Sequence, residues 1–465
     1  MHKLAKHIVV RWAHLLGLLL MTGCASVPAV HEVIDQAPTG PQKIVGPRGP
    51  LSSAQSKAVL AKLDQQSKGS DILQRHLAIE QSLADAPLIA GNRTTILRDG
   101  PATFHAMFDA IKKAKHSVYL EYYTFENVES DDLKLADLLL AERQAGIAVA
   151  VLYDSYGSID TPVDFFDRLR FGGVAVLEFH PLNPLKAATG YAPNDRDHRK
   201  ILAVDGAVAV VGGVNLYTAY QRHPHARSVK SDGGDPETWH DTDLKIEGPA
   251  AKPLQQLFLD HWAAEEGRAL PPPVATPALA GAGNELVRII GSDHDATVPR
   301  YYATVLSAIR NAEKSIWLTT AYFVPTDDEV DDLIAAAKRG VDVRLMLPGI
   351  SDSDMALRVA HSNYGRLLKA GIKIYELQDG VLHSKSAVID GVWSVVGSSN
   401  FDHRSILFND EVDAVVLGRD TAKQLEDLFV KDETESRPVT LAEWEDRPLS
   451  EKLRELYARS VESFL

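Results

Sequence analysis

Two phrases of the sequence carry the same set of reactive side chains. "DHRKILAVDG" (residues 197–206) and "LHSKSAVIDG" (382–391) each place a His, a Lys two residues on, and then an Asp-Gly. The sets are His198, Lys200 and Asp205, and His383, Lys385 and Asp390. An imidazole can attack or pass a proton near neutral pH. Downstream, "GGVN" (212–215) and "GSSN" (397–400) bring Asn215 and Asn400 in behind small residues, among them Gly213 and Ser398. Small residues let a substrate come close, and the amides are donors. Counting back from the shared glycine in "WHDTDLKIEG" (239–248) and "FNDEVDAVVLG" (408–418), Asp241 falls opposite Glu411. A carboxylate on the Nδ1–H of a histidine fixes its tautomer and raises its basicity, which leaves the other nitrogen for chemistry.

These side chains need strands to hold them. His and Lys two apart in a β-like run point to one face. Each Asp-Gly lies between two apolar runs, which is a hairpin-turn signal. Asp205 and Asp390 therefore read equally as turn residues and as members of the reactive set. The repeat extends upstream. "AIKKAKHSVYLEYYTF" (110–125) matches "AIRNAEKSIWLTTAYF" (308–323), and "LLLAERQAGIAVAVLYDS" (138–155) matches "LIAAAKRGVDVRLMLPGI" (333–350). "RLRFGGVAVLEF" (168–179) matches "RLLKAGIKIYEL" (366–377). Each is a helix end, a stop and a buried strand. Ser117 and Ser315 are 198 residues apart, His198 and His383 only 185, so the first half carries extra residues within "HPLNPLKAATGYAPNDRD" (180–197). Two repeats predict two α/β lobes with mixed sheets flanked by helices; a solenoid needs at least three.

The expected division follows from composition. Residues 1–24 read as a signal peptide, 25–50 as a Pro/Gly-rich linker and 51–90 as a helical segment. The lobes span 91–268 and 285–435, with a Pro/Ala/Gly linker at 269–284. Residues 436–465 end in an amphipathic helix from about Ser450, with Leu453, Leu456, Tyr457 and Val461 on the face expected to pack on the second lobe. "LEYYTF" reads as a core strand, and the acidic run "TDDEVDD" (326–332) as a helix start. His105, His116, His240, His294 and His361 read as structural or surface residues, and His180 as a loop residue at the insertion.

A net charge of −14 in 465 residues argues against a general affinity for nucleic acid. Hydrophobic residues make up 45% and charged residues 24%, as in globular chains. The one cysteine, Cys24, excludes an intrachain disulfide or a cysteine-based zinc site. It follows a basic start (Lys3, Lys6, Arg11) and an apolar run from Trp12 to Met21 that is short for a membrane span. Thr22-Gly23-Cys24 resembles a bacterial lipobox. That likeness implies a lipidated Cys24 and an exported, membrane-anchored protein facing the periplasm. Ala25 resembles the residues that allow sorting to an outer membrane.

Both copies of His-x-Lys-x4-Asp, each continued by Gly-Gly/Ser-x-Asn and a late acid, resemble the phospholipase D superfamily. Within it the chain is most similar to the bacterial cardiolipin synthases. The supporting stretches are "PLIAGNRTTILRDG" (87–100), "HSVYLEYYTF" (116–125), "HDTDLKIEGPA" (240–250) and "LAEWEDRPLSEKL" (441–453). The double transmembrane start usual there is replaced by the lipoprotein-like one.

The resemblance implies a pseudo-twofold pair of lobes with the active site at their interface. It implies phosphatidyl transfer through a phosphohistidine, with His198 as nucleophile and His383 as acid. Lys200, Lys385, Asn215 and Asn400, with Gly213 and Ser398, would hold the phosphate oxygens, the role a metal fills elsewhere. No metal and no cofactor are expected. Asp241 and Glu411 would orient the histidines. The expected partners are phospholipids, phosphatidylglycerol first and phosphatidylethanolamine as an alternative donor. A hydrolytic phospholipase D uses the same residues and is the main rival. A nuclease of the superfamily and a non-catalytic lipid-binding scaffold are lesser ones.

Overall fold

The computed structural model describes residues 30–37, 42–66, 72–186, 191–221, 238–271, 281–460 and 462. The expected signal peptide and Cys24 lie outside these. The β-branched runs of the repeat form two mixed sheets with the same strand order. In the first lobe the order is Ala175–Phe179, Ala148–Asp154, Ser117–Tyr122, Lys200–Val204, Val208–Gly212, Thr242–Glu247 and Leu88–Arg98. The first three are parallel and the rest join antiparallel. In the second lobe it is Lys373–Leu377, Asp342–Pro348, Ser315–Thr320, Lys385–Ile389, Trp393–Gly397, Asn409–Leu417 and Glu285–Ser292. Leu88–Arg98 is also hydrogen-bonded to Glu285–Ser292, so the sheets meet at a shared seam.

Alternation along the strands assigns the two faces. Leu202 and Val204 pack outward with Phe104, Met107, Leu135 and Phe166 of the first lobe's helices. Ile201 and Ala203 pack inward, where Val388, Val396, Val412 and Ala414 of the second sheet complete a shared core. The acidic run at 326–332 starts the helix Asp327–Lys338 through a capping box of Thr326 and Glu329.

Two expectations are corrected at the ends of the chain. The 25–50 segment is not all linker. Val30–Gln36 is a helix whose Val30 and Ile34 bury against Tyr302, Ala303 and Leu306, and Ile44–Gly46 pairs with Leu88–Arg98. The apolar spacing of Val30, Val33 and Ile34 gives one sticky face, too short to stand out by period. The C-terminal helix Leu449–Arg459 packs on the second lobe, but by its other side. Glu455 and Ala458 are buried, while Leu453, Leu456 and Tyr457 are exposed. Ala458 is small enough to approach Ala356 and Val359, and Glu455 is held by Arg447 at 2.8 Å. Val461 lies outside the described residues. No helix among the described residues is long and apolar enough to cross a membrane.

Candidate active site

Each His-x-Lys phrase reaches the site through a short parallel pairing with the other lobe. Arg196–Asp197 pairs with Asn409–Asp410, the two residues before Glu411. Val381–Leu382 pairs with Trp239–His240, the two residues before Asp241. The His198 N–H donates to Asp410 O (2.9 Å) and the His383 N–H to His240 O (2.7 Å). Backbone pairing thus sets each histidine beside the carboxylate of the opposite lobe. His198 Nδ1 lies 3.0 Å from both oxygens of Glu411, and His383 Nδ1 lies 2.8 Å from Asp241 Oδ2.

The carboxylates are themselves held. Glu411 accepts from Ser398 Oγ (2.5 Å), Ser405 Oγ (2.9 Å) and Asn409 Nδ2 (3.2 Å). Asp241 accepts from the Tyr220 hydroxyl (3.0 Å) and the Thr242 N–H (2.8 Å). Tyr220 was not anticipated; its hydroxyl and Lys385 Nζ also crowd His383 Nδ1, at 2.9 and 2.8 Å.

Burial dominates the electrostatics. It pushes His198 well below the ordinary imidazole range, with Lys200 and Lys385 adding to the effect. His383 is lowered by burial and then by Lys385. Burial brings Lys200 down to about 7 and Lys385 down to about 8. It pushes Glu411 up to about 7 against the opposing pull of Lys200. Both imidazoles are therefore poised to be neutral until an anion offsets the lysines, whose buried charges are costly.

His198, His383, Asn215 and Asn400 all line one cavity of about 450 Å³. That is the size of a small-ligand site. Asn215 Oδ1 accepts from the Thr124 N–H (3.2 Å), which leaves its Nδ2 to donate. Lys200 and Lys385 are buried beside the histidines, each Nζ bonded to the carbonyl of its own histidine. Aromatic rings form the walls. Tyr123 lies 5.2 Å from the His198 ring, and Trp239 lies 5.1 Å from the His383 ring. Arg196 and Arg404 add cations to the lining.

Four expected site residues do other work. Asp205 and Asp390 are turn residues at positive φ, 55° and 53°. Asp205 accepts from the N–H groups of Lys115, His116 and Ser117, and Asp390 from those of Glu313, Lys314 and Ser315. Each ties the helix end to the start of the neighbouring strand. Asp205 stands five residues from Lys200 along an extended strand, about 16 Å away. Ser398 and Gly213 serve the carboxylates rather than a phosphate. The Ser398 hydroxyl is spent on Glu411, and a Cβ on Gly213 would stand 2.1 Å from Asp241 Oδ1.

Of the "LEYYTF" strand, Leu120, Tyr122 and Phe125 are core, as read, while Tyr123 faces the cavity. Glu121 turns away from the cavity, to His261 Nδ1 (2.8 Å) and Arg199 Nη1 (3.4 Å). Glu121, Asp197 and His261 are the one grouping of metal-ligand types among the described residues. Despite burial, Glu121 holds His261 up to about 9, so His261 and Arg199 already oppose these carboxylates. His180, at the insertion, stacks on Phe179.

The family described as "Cardiolipin synthase, PLD-like domain" matches residues 107–225 and 305–433. A cardiolipin synthase of Geobacillus thermodenitrificans (strain NG80-2) is 32% identical over 392 residues, 84% of this chain and 75% of that one. A cardiolipin synthase of Geobacillus sp. (strain WCH70) is 33% identical over 396 residues, 84% of this chain and 76% of that one. The crystal structure of phosphatidylserine synthase from Haemophilus influenzae Rd KW20 aligns with a TM-score of 0.61 at 13% identity. It covers 83% of this chain and 98% of that chain, a likeness of fold.

Proposed function

The chain belongs to the cardiolipin synthase, phospholipase D-like family, and from that premise we propose that it is a phosphatidyltransferase making cardiolipin. The observation that carries the reading is the pair of histidine–carboxylate couples, crossed between lobes and opening on one cavity.

In the first step His198 Nε2 attacks the phosphorus of a phosphatidylglycerol. The P–N bond forms as the P–O bond to the headgroup glycerol breaks, and His383, protonated to the imidazolium once the bound phosphate and Asp241 offset its charge, gives the leaving oxygen its Nε2 proton. In the second step the terminal hydroxyl of another phosphatidylglycerol loses its proton to His383. Its oxygen takes the phosphatidyl group, and the P–N bond breaks. One imidazole cannot attack and protonate on opposite sides of the phosphorus in the same step, so two copies are needed. Glu411 and Asp241 stabilise the cationic forms of the rings. Lys200, Lys385 and the amides of Asn215 and Asn400 oppose the phosphate charge, which supports a metal-free reaction.

Hydrolysis, with water as acceptor, uses the same residues. The aromatic walls of Tyr123 and Trp239 favour transfer, because they suit a lipid alcohol better than bulk water. Thr22-Gly23-Cys24 supports an exported protein anchored through lipid on Cys24, with its site facing the periplasm; loss of labelled-palmitate incorporation in Cys24→Ala checks the anchor.

The test is incubation with phosphatidylglycerol vesicles and EDTA beside His198→Ala, with lipids read by mass spectrometry. Cardiolipin plus glycerol, absent in the variant, supports the proposal. Phosphatidic acid without cardiolipin replaces it with the hydrolytic reading.

A further inference from the structure

Large apolar side chains exposed to solvent are not spread evenly over this molecule. Nine of the twelve among the described residues lie on segments that border the mouth of the active-site cavity. On the first lobe, Tyr156 and Ile159 alternate with the cavity residues Gly157, Asp160 and Thr161, and Val163 follows. Leu185 stands on the neighbouring loop, which the Leu182 N–H ties to Ser155 Oγ at 3.0 Å. On the second lobe, Ile350 is two residues from the cavity residue Asp352.

The C-terminal helix supplies the rest. Leu449, Leu453, Leu456 and Tyr457 form a stripe at helical spacing, each between 58% and 72% exposed. The stripe sits beside the mouth, because Ala458 packs on Ala356 and Ala356 lines the cavity. Lys452 and Arg454 flank it, both exposed. A soluble protein rarely gathers so much apolar surface without a partner.

Taking the function proposed above as given, we propose that this rim is the surface by which the enzyme seats on a phospholipid bilayer, with the C-terminal helix lying in the interface. The occupant follows from what the cavity holds. His198 and His383 on the cavity wall, with Lys200 and Lys385 buried beside them, suit a phosphate, and the phosphate of a phospholipid lies at the depth of the headgroups. The walls that surround it must therefore meet the bilayer surface. An amphipathic stripe with flanking basic residues is the form an interfacial helix takes. A lipid anchor outside the described residues would bring the enzyme to the membrane without orienting it. The rim orients it.

The test compares the full-length chain with its Leu453→Asp/Leu456→Asp variant on two substrates. One is phosphatidylglycerol in vesicles; the other is short-chain phosphatidylglycerol dissolved as monomers. The expected result is a vesicle rate lowered about tenfold or more, with the monomer rate within about twofold of the parent. An equal effect on both substrates, or none on either, overturns the proposal.

A second readout does not depend on turnover. Ile159→Trp on the opposite rim should gain fluorescence that brominated phosphatidylglycerol vesicles quench beyond the parent's level. No added quenching overturns the proposal, as does a parent dimer that the double variant dissolves, which would give the face to a second copy. If the parent uses neither lipid form, the proposed function fails, and quenching still decides the surface.

Discussion

His198 Nδ1 stands 3.0 Å from both carboxylate oxygens of Glu411, a residue 213 positions away on the other lobe. His383 makes the reciprocal contact with Asp241. Neither histidine is oriented by its own repeat. Each half of the chain brings one reactive ring and the acid that aims the other ring.

Glu411→Gln keeps the shape of that contact but gives up its charge. The imidazolium formed in transfer then loses its counterion, and the tautomer of His198 is no longer fixed. We expect kcat to fall about 10³-fold or more while vesicle binding persists. Steady-state kinetics together with vesicle co-sedimentation checks this. A loss of less than about tenfold would remove Glu411 from the reaction.

Gly213→Ala tests the cramped seat of Asp241. The added Cβ would stand 2.1 Å from Asp241 Oδ1, so the carboxylate has to move. Asp241 in turn aims His383, and a displacement of about 1 Å in such a group costs ~10²-fold in rate. The expected signature is a low kcat with a thermal midpoint near that of the parent. Full activity would mean that Asp241 need not stay where the structure has it.

The two buried lysines give the pH profile an alkaline limb. Burial brings Lys200 to about 7 and Lys385 to about 8. Above those values the ammonium groups lose their protons and with them their hold on a phosphate. kcat/KM, which reports the free enzyme, should therefore decline from about pH 7–8 upward. A bound phosphate restores the charge, so the limb in kcat should lie at higher pH. Parallel limbs in the two profiles would rule out the lysines as the titrating groups.

Glu80, on the helix Ile72–Ala84, links acid stability to one buried cluster. It lies 2.9 Å from Arg288 Nη1 and accepts from Trp393 Nε1 at 3.2 Å. Burial alone would raise its pKa, but Arg288 and its other partners overcome that and hold it at about 2, against 4.5 unfolded. The lowered value contributes roughly 3 kcal/mol of stability above pH 4.5. That stability is lost as pH falls from 4.5 toward 2. Glu80→Gln should be less stable at neutral pH by a few kcal/mol, because Arg288 is left unpaired, and should lack that acid loss. Urea unfolding of both proteins between pH 3 and 7 checks it.

The sequence displayed the candidate site residues well because they recur. Two His-x-Lys phrases with matched strands placed His198, His383, Asp241 and Glu411, and the shared strand order of the lobes followed from the same repeat. The crossing of the carboxylates was hidden, since it depends on Arg196–Asp197 meeting Asn409–Asp410 in three dimensions. Asp205 and Asp390 stayed open between two readings for a chemical reason. A carboxylate that caps three backbone amides at a tight turn has the same one-letter appearance as one in an active site. The C-terminal helix misled by a different route. Apolar periodicity locates a stripe, but which side of the helix meets the protein was decided by Ala458 and by the Arg447–Glu455 pair.

The strand Leu88–Arg98 is hydrogen-bonded on both sides, to Thr242–Glu247 of one lobe and Glu285–Ser292 of the other. The lobes cannot swing apart without tearing ladder bonds, so the cavity has no hinge to open by. Both histidines line the same cavity. In the proposed transfer through a phosphohistidine, the first glycerol must leave that cavity before the second lipid reacts, which is a ping-pong order. Glycerol held back in the cavity would compete with the incoming lipid for the phosphohistidine and simply regenerate the starting phospholipid.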